Sequence, residues 1–112
     1  MSFSTEVRAV FLHGLADPSR LALVEQLADG SRRVSDLVDA TGLTQSNVSR
    51  HLSCLWDCGV VERERHGREI HYRLVDGLDA VLSAADSVLE RTADRIMACP
   101  RYGALAARRE AA

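Results

Sequence analysis

Between Val34 and Gly59 the chain reads "VSDLVDATGLTQSNVSRHLSCLWDCG". Apolar residues recur at helical intervals on both sides of one break, Gly42-Leu43-Thr44. A short helix is expected in "VSDLVDATG", capped by Ser35 and ended by Gly42. Leu43-Thr44 then makes a tight turn, and Thr44 caps a second helix from Gln45 to Cys58, which Gly59 closes. Two short helices joined this closely are a helix-turn-helix, the arrangement that presents its second helix to the major groove of DNA.

Advancing about 100° per residue from Gln45 places Val48, Leu52 and Leu55 on one narrow apolar stripe. Gln45, Ser46, Ser49, Arg50 and Ser53 fall on another side, a face of small polar residues with one Arg. Gln and Arg suit bidentate contacts with base edges, and Ser and Thr reach phosphates. A solvated polar face is the plainer alternative. The tight turn before this helix and the Arg-rich stretch after it favour DNA contact. Asn47, Cys54 and Cys58 lie between the groove face and the core face, and His51 borders the core.

Upstream, a first helix is expected from about Thr5 to Leu15, with Val7, Val10, Phe11 and Leu15 on one side. "ADPSRLALVEQLADG" is a second, with Asp17 as N-cap, Pro18 at its first position and Gly30 as stop. Downstream the period changes: in "VVERERHGREIHYRL", Ile70, Tyr72 and Leu74 alternate with polar residues around His66-Gly67, which reads as a two-stranded hairpin. A long helix closes the chain, from about Leu78 to Met97, with Leu78, Val81, Leu82, Ala85, Val88, Leu89 and Ile96 in one stripe. So small a body cannot cover that stripe, but a helix from a second subunit would. The fold class is therefore mainly α with a small β-hairpin: a winged helix-turn-helix, dimeric through its first and last helices. Residues 1–100 form the domain, and the Ala/Arg-rich residues 101–112 are expected to be a flexible tail.

A chain of 112 residues, 46% hydrophobic and 27% charged, is ordinary for one soluble domain. No apolar run nears the ~18 residues that span a bilayer, and no secretory pattern opens the chain, so a cytoplasmic protein without a membrane partner is expected. The formal net charge of −2 argues weakly against nucleic acid, but all 14 basic residues are Arg. Arg63, Arg65, Arg68 and Arg73 crowd the hairpin against only Glu64 and Glu69 within that span. The wing arginines 63, 65 and 68 join Thr44, Gln45, Ser46, Ser49 and Arg50 as the DNA-binding candidates.

The chain has three cysteines. Cys54 and Cys58 stand at i and i+4, where Cβ atoms are about 5–6 Å apart, against the roughly 3.5–4.5 Å of a disulfide. Two thiolates on one ion lie roughly 4 Å apart, so the spacing favours chelation over oxidation. Cys99 follows the closing helix in "IMACPRYG", and would complete a soft, low-coordinate three-thiolate site suited to Cd²⁺, Pb²⁺ or As(III). Three core-filling cysteines are the plain alternative.

"LADPSRLALVEQL", "TQSNVSRHLSCL", "CGVVERERHGREIHYRL" and the closing helix together resemble the ArsR/SmtB family of metal-responsive repressors, from about Val7 to Cys99. "SNVSRHLSCLWDCG" with Cys99 is similar, more narrowly, to the family's cadmium/lead sensors. The resemblance implies a homodimer that represses a metal-export operon by binding double-stranded operator DNA. It also implies that Cys54 and Cys58 of one subunit join Cys99, of the other subunit, on Cd²⁺ or Pb²⁺, and that the metal-bound dimer lets go. His51 inherits no ligand role. Zinc sensors of the family carry Asp and His ligands on the last helix. Here Asp79, Asp86 and Glu90 are present but no His follows His71, so Zn²⁺ is a weaker candidate. The start of the reading helix also lacks a Cys-x-Cys pair, though arsenite stays open as inducer. The rivals are a thiol redox repressor pairing Cys99 with Cys54 or Cys58, and a repressor that binds no metal. An enzyme is not expected, because nothing supplies an oxyanion hole or an orienting acid.

Overall fold

The computed structural model describes residues 2–104. In chain order it contains α1 (Thr5–Leu15), α2 (Pro18–Leu27), α3 (Val34–Thr41), α4 (Gln45–Asp57), β1 (Val61–His66), β2 (Glu69–Leu74) and α5 (Leu78–Met97). The chain divides into a first unit, Met1–Leu78, and a second that holds the rest of α5 and the segment after it.

Local chemistry sets the boundaries in the first unit. Asp17 Oδ2 accepts the Arg20 N–H at 3.0 Å, and Pro18 needs no hydrogen-bond partner at the first turn of α2. Gly42 ends α3 in the left-handed region at φ 74°, and Gly59 follows α4 at φ 76°, where a Cβ would be strained. The expected Ser35 cap is corrected. The cap position is Arg33, and Ser35 sits inside the first turn of α3. Asp36, the third residue of the helix, reaches back to accept the Arg33 N–H at 3.1 Å. The preceding residue, Arg32, is held extended by paired backbone bonds with Tyr72 at 2.9 and 2.8 Å, so the helix starts immediately after it.

The core lies where α2, α3, α4 and the hairpin meet. Leu23, Val24, Leu37, Val48 and Leu55 are fully inaccessible, and Leu52, Val60 and Val61 are within 1% of it. The hairpin is antiparallel, with Val61 opposite Leu74 and His66 opposite Glu69 around a Gly67-Arg68 loop.

In the second unit α5 keeps the expected bounds, and Val88 (60%) and Leu89 (39%) stay exposed along its apolar stripe. Beyond Met97 the chain reverses: the Gly103 N–H donates to the Cys99 carbonyl at 2.9 Å, and Gly103 is buried. Of the segment 101–112 expected as a tail, residues 101–104 take part in this reversal, and residues 105–112 lie outside the described residues. Among the described residues no helix is long and apolar enough to cross a membrane.

Asp17→Ala is expected to cost about 1 kcal/mol of stability at neutral pH. The Arg20 backbone N–H, first among several causes, holds the Asp17 carboxyl below its ordinary pKa. Its contribution is therefore complete above the unfolded-state value of about 4 and fades as pH falls through the lower folded-state value. Urea midpoints of both proteins measured against pH should converge in acid; a constant gap would remove the cap from this account.

Candidate nucleic-acid interface and thiol site

The turn between α3 and α4 is bound from within. The Thr41 hydroxyl donates to the Leu37 carbonyl at 2.7 Å and accepts the Leu43 N–H at 3.3 Å. Thr44 Oγ1 then caps α4 by accepting the Asn47 N–H at 3.1 Å. With Val48, Leu52 and Leu55 buried, the opposite side of α4 is presented outward: Thr44, Gln45, Ser46, Ser49, Arg50 and Ser53 are all exposed. Arg50 donates to Asn47 Oδ1 at 3.2 Å, which steadies its guanidinium over the first turns of the helix.

Strand alternation sorts the hairpin's charges. Glu62, Glu64 and His66 face one side with their cross-strand partners Arg73, His71 and Glu69. That side is internally paired: Arg73 with Glu62 at 2.7 Å, His66 with Glu64 at 2.8 Å, and His71 with Glu69 at 3.7 Å. Glu69 also pairs with Arg33. Arg63 and Arg65 point to the other side, opposite Tyr72 and Ile70. Among the described residues neither they nor Arg68 forms an ion pair. The Arg63 guanidinium lies over the Trp56 ring, 4.2 Å from its centroid, and Arg65 Nε donates to the Gly67 carbonyl at 3.2 Å. A chain of net negative charge thus carries a locally cationic face on the wing, because the hairpin's own carboxylates, Glu62, Glu64 and Glu69, are paired on the reverse side.

Cys54 and Cys58 stand together, one turn apart at the C-terminal end of α4, both exposed. They are not core filler. The Cys58 sulfur rests against α1, 4.0 Å from where a Gly14 Cβ would be. Arg20 braces that turn of α1 from α2, donating to the Gly14 carbonyl at 2.6 Å and the His13 carbonyl at 3.2 Å. Partial burial and then the neighbouring Cys54 push the Cys58 thiol above its ordinary pKa. His51 is half-buried near Asp17.

Cys99, in the second unit, is half-buried at the chain reversal. The backbone N–H groups of Tyr102, Arg101 and Gly103 face its sulfur and lower its pKa. Among the described residues of one chain, no group of three or more His, Cys, Asp or Glu side chains is placed to hold a metal ion. Asp79, Asp86 and Glu90 are exposed along α5.

The structure thus gathers the α4 candidates on one face, sets Arg63 and Arg65 on one side of the wing, places Arg68 at its loop, and unites two of the three thiols. Sequence reasoning missed Trp56 as the platform for Arg63, and the Gly14–Arg20 wall behind Cys58. A tryptophan beside the core stripe of α4 was the available signal for the first. Nothing local announces the second, which depends on how α1 meets α4.

Residues 17–63 match the model of the bacterial regulatory protein family arsR. The repressor SmtB of Mycobacterium tuberculosis is 45% identical over 84 residues, covering 70% of this chain and 62% of that protein. The regulator CmtR of the same organism is 47% identical over 62 residues, covering 55% and 52%. The NMR structure of CmtR, described as a cadmium metal-sensor, superposes with a TM-score of 0.60 at 42% identity, covering 68% of this chain and 80% of that one. The crystal structure of the transcriptional repressor BigR from Xylella fastidiosa gives 0.63 at 36% identity over 69% and 79%. The chain thus spans between half and two thirds of the two curated sequences. With these likenesses across the helix-turn-helix and the wing, the chain belongs to the ArsR/SmtB family of winged helix-turn-helix regulators.

Proposed function

We propose that this chain is a metal-responsive transcriptional repressor: it binds operator DNA as a homodimer in the cytoplasm and releases it when cysteine thiolates take up a soft metal ion, Cd²⁺ or Pb²⁺. The observation that carries this reading is the accessible Cys54–Cys58 pair on the helix whose other face is offered to DNA. Gln45 and Arg50 would contact base edges, with Thr44, Ser46 and Ser49 on phosphates. Arg63, Arg65 and Arg68 add phosphate contacts from the cationic side of the wing. Val7 and Val10 on α1, and separately Val88 and Leu89 on α5, are exposed apolar residues that a second copy would cover.

The donor set fits a soft ion. Two accessible thiols share one helical face, and a third is surrounded by N–H groups that favour its anionic form. Cys99 of a second copy would complete the set, and the cadmium sensor CmtR is a relative in keeping with this chemistry. Ligand binding at the end of α4 then acts on the helix itself. The two reading helices of a dimer must match half-sites about 34–36 Å apart, so tilting them costs affinity. A coupling of about 1–3 kcal/mol suffices for roughly 5–150-fold release.

Arg50→Ala is expected to weaken operator binding and relax sequence preference, whereas Arg65→Ala and Arg68→Ala weaken it more evenly across sequences and flatten its salt dependence. Unchanged affinity in all three, measured by fluorescence anisotropy, removes these faces from the interface.

Cys54→Ser, Cys58→Ser and Cys99→Ser should each still bind operator under reducing conditions but no longer release it on adding Cd²⁺. Affinity for Cd²⁺ should fall as pH drops, by about tenfold per unit for each thiol still protonated. Each Cys→Ser variant removes one proton that metal binding must displace, so each should flatten that pH slope. Metal-induced release that survives in the Cys54 and Cys58 variants refutes the sensor reading.

Leu89→Asp would bury a charge in the intersubunit seam and should yield monomers or insoluble chain. A soluble dimer with full DNA affinity, seen by sedimentation and anisotropy, would place the interface elsewhere.

A further inference from the structure

The reversal after α5 is built on one residue without a side chain. Gly103 is buried, and its N–H closes the Cys99–Gly103 turn onto the Cys99 carbonyl at 2.9 Å. The start of the reversal is tied to the helix by Ala98 N–H to the Asp94 carbonyl and Cys99 N–H to the Ile96 carbonyl, both at 3.1 Å. A Cβ at position 103 would run into the Met97 carbonyl group, 2.8 Å from its carbon, and would lie 3.2 Å from the Ile96 oxygen. Both obstacles are helix backbone, which cannot swing aside as a side chain would. Gly103 is not among the glycines with positive φ, so the requirement is for space alone.

We infer that Gly103 is a positioning residue for Cys99: by packing against the end of α5 it closes the turn that presents the Cys99 sulfur as a preset ligand for a soft metal ion. This rests on the metal-sensor reading above. Without the turn Cys99 would hang on a flexible segment, and ordering that segment would oppose binding. With it, the Gly103 N–H holds the Cys99 carbonyl at 2.9 Å and the backbone N–H groups of Tyr102 and Arg101 lie on the sulfur's side of the turn. Such outer contacts orient a metal ligand, and their loss typically lowers metal affinity about 10–100-fold.

The test is Cd²⁺ titration of the reduced full chain, followed by sulfur-to-cadmium absorption and by competition with a chelator. Gly103→Ala should lose at least tenfold in affinity, with absorption per bound ion falling by roughly a third as one of three thiolates drops out. In a Cys99→Ser background the same substitution should change nothing, because the ligand it positions is gone. Arg101→Pro, which deletes one N–H facing the sulfur and leaves the crowded position untouched, should give a smaller loss in the same direction. Parental affinity in both variants overturns the inference while leaving the sensor reading standing. An equal loss with and without Cys99 also overturns it, since the effect would then be a general one on the fold. A parent chain that takes up no Cd²⁺ overturns the sensor reading and this inference together.

Discussion

The rotation of α4 about its own axis is set by Val48, Leu52 and Leu55, none of them more than 1% exposed. Each such side chain contributes about 1.5–3 kcal/mol when fully buried, so the stripe resists any turn of the helix about its axis. A one-residue slip would swing every other side chain by about 100°. The polar face from Thr44 to Ser53 and the thiols near the helix end both inherit their directions from this seating. The residues proposed to read DNA and those proposed to take a ligand can therefore share one helix without competing for the same side of it.

Two braces extend that order outward. Arg20 spans from α2 to the last carbonyls of α1 and so builds the wall against which the Cys58 sulfur rests. On the wing, period-two alternation draws the carboxylates into pairs with His66, His71 and Arg73 and leaves Arg63 and Arg65 on the opposite side. The wing pairs add little stability, since exposed ion pairs are individually weak; the Arg20 brace is instead a set of charge-assisted bonds to backbone carbonyls, one of them part-buried. The effect of both is directional: the first constrains where a thiol can go, and the second decides which side of the hairpin carries the arginines left unpaired among the described residues.

Element order was legible in the sequence because it is written in local punctuation, from Asp17-Pro18 to the glycines that close α3 and α4. The exposed polar face of α4 was legible because helical periodicity separates it from the stripe of Val48, Leu52 and Leu55. The cap of α3 was misread at Ser35 because an acid at Asp36 can reach backward, and because Arg32 is fixed by Tyr72, forty residues away. The Trp56–Arg63 contact needs the hairpin's path relative to α4, which no local pattern contains. The ordered turn around Cys99 was hidden for a similar reason. An Ala/Arg-rich composition suggests fraying, while the reversal depends on one glycine fitting against the carbonyls of α5.

The chain carries a single tryptophan, and its indole lies where α4 meets the wing. The Arg63 guanidinium covers its ring, while Cys54 and Cys58, two residues to either side in sequence, project from the other side of the helix. Its emission is thus a built-in optical reporter. Removing the guanidinium shifts its colour by changing the local field. Displacement of the wing from α4 would therefore be read as a change in emission wavelength, with no label added to the protein.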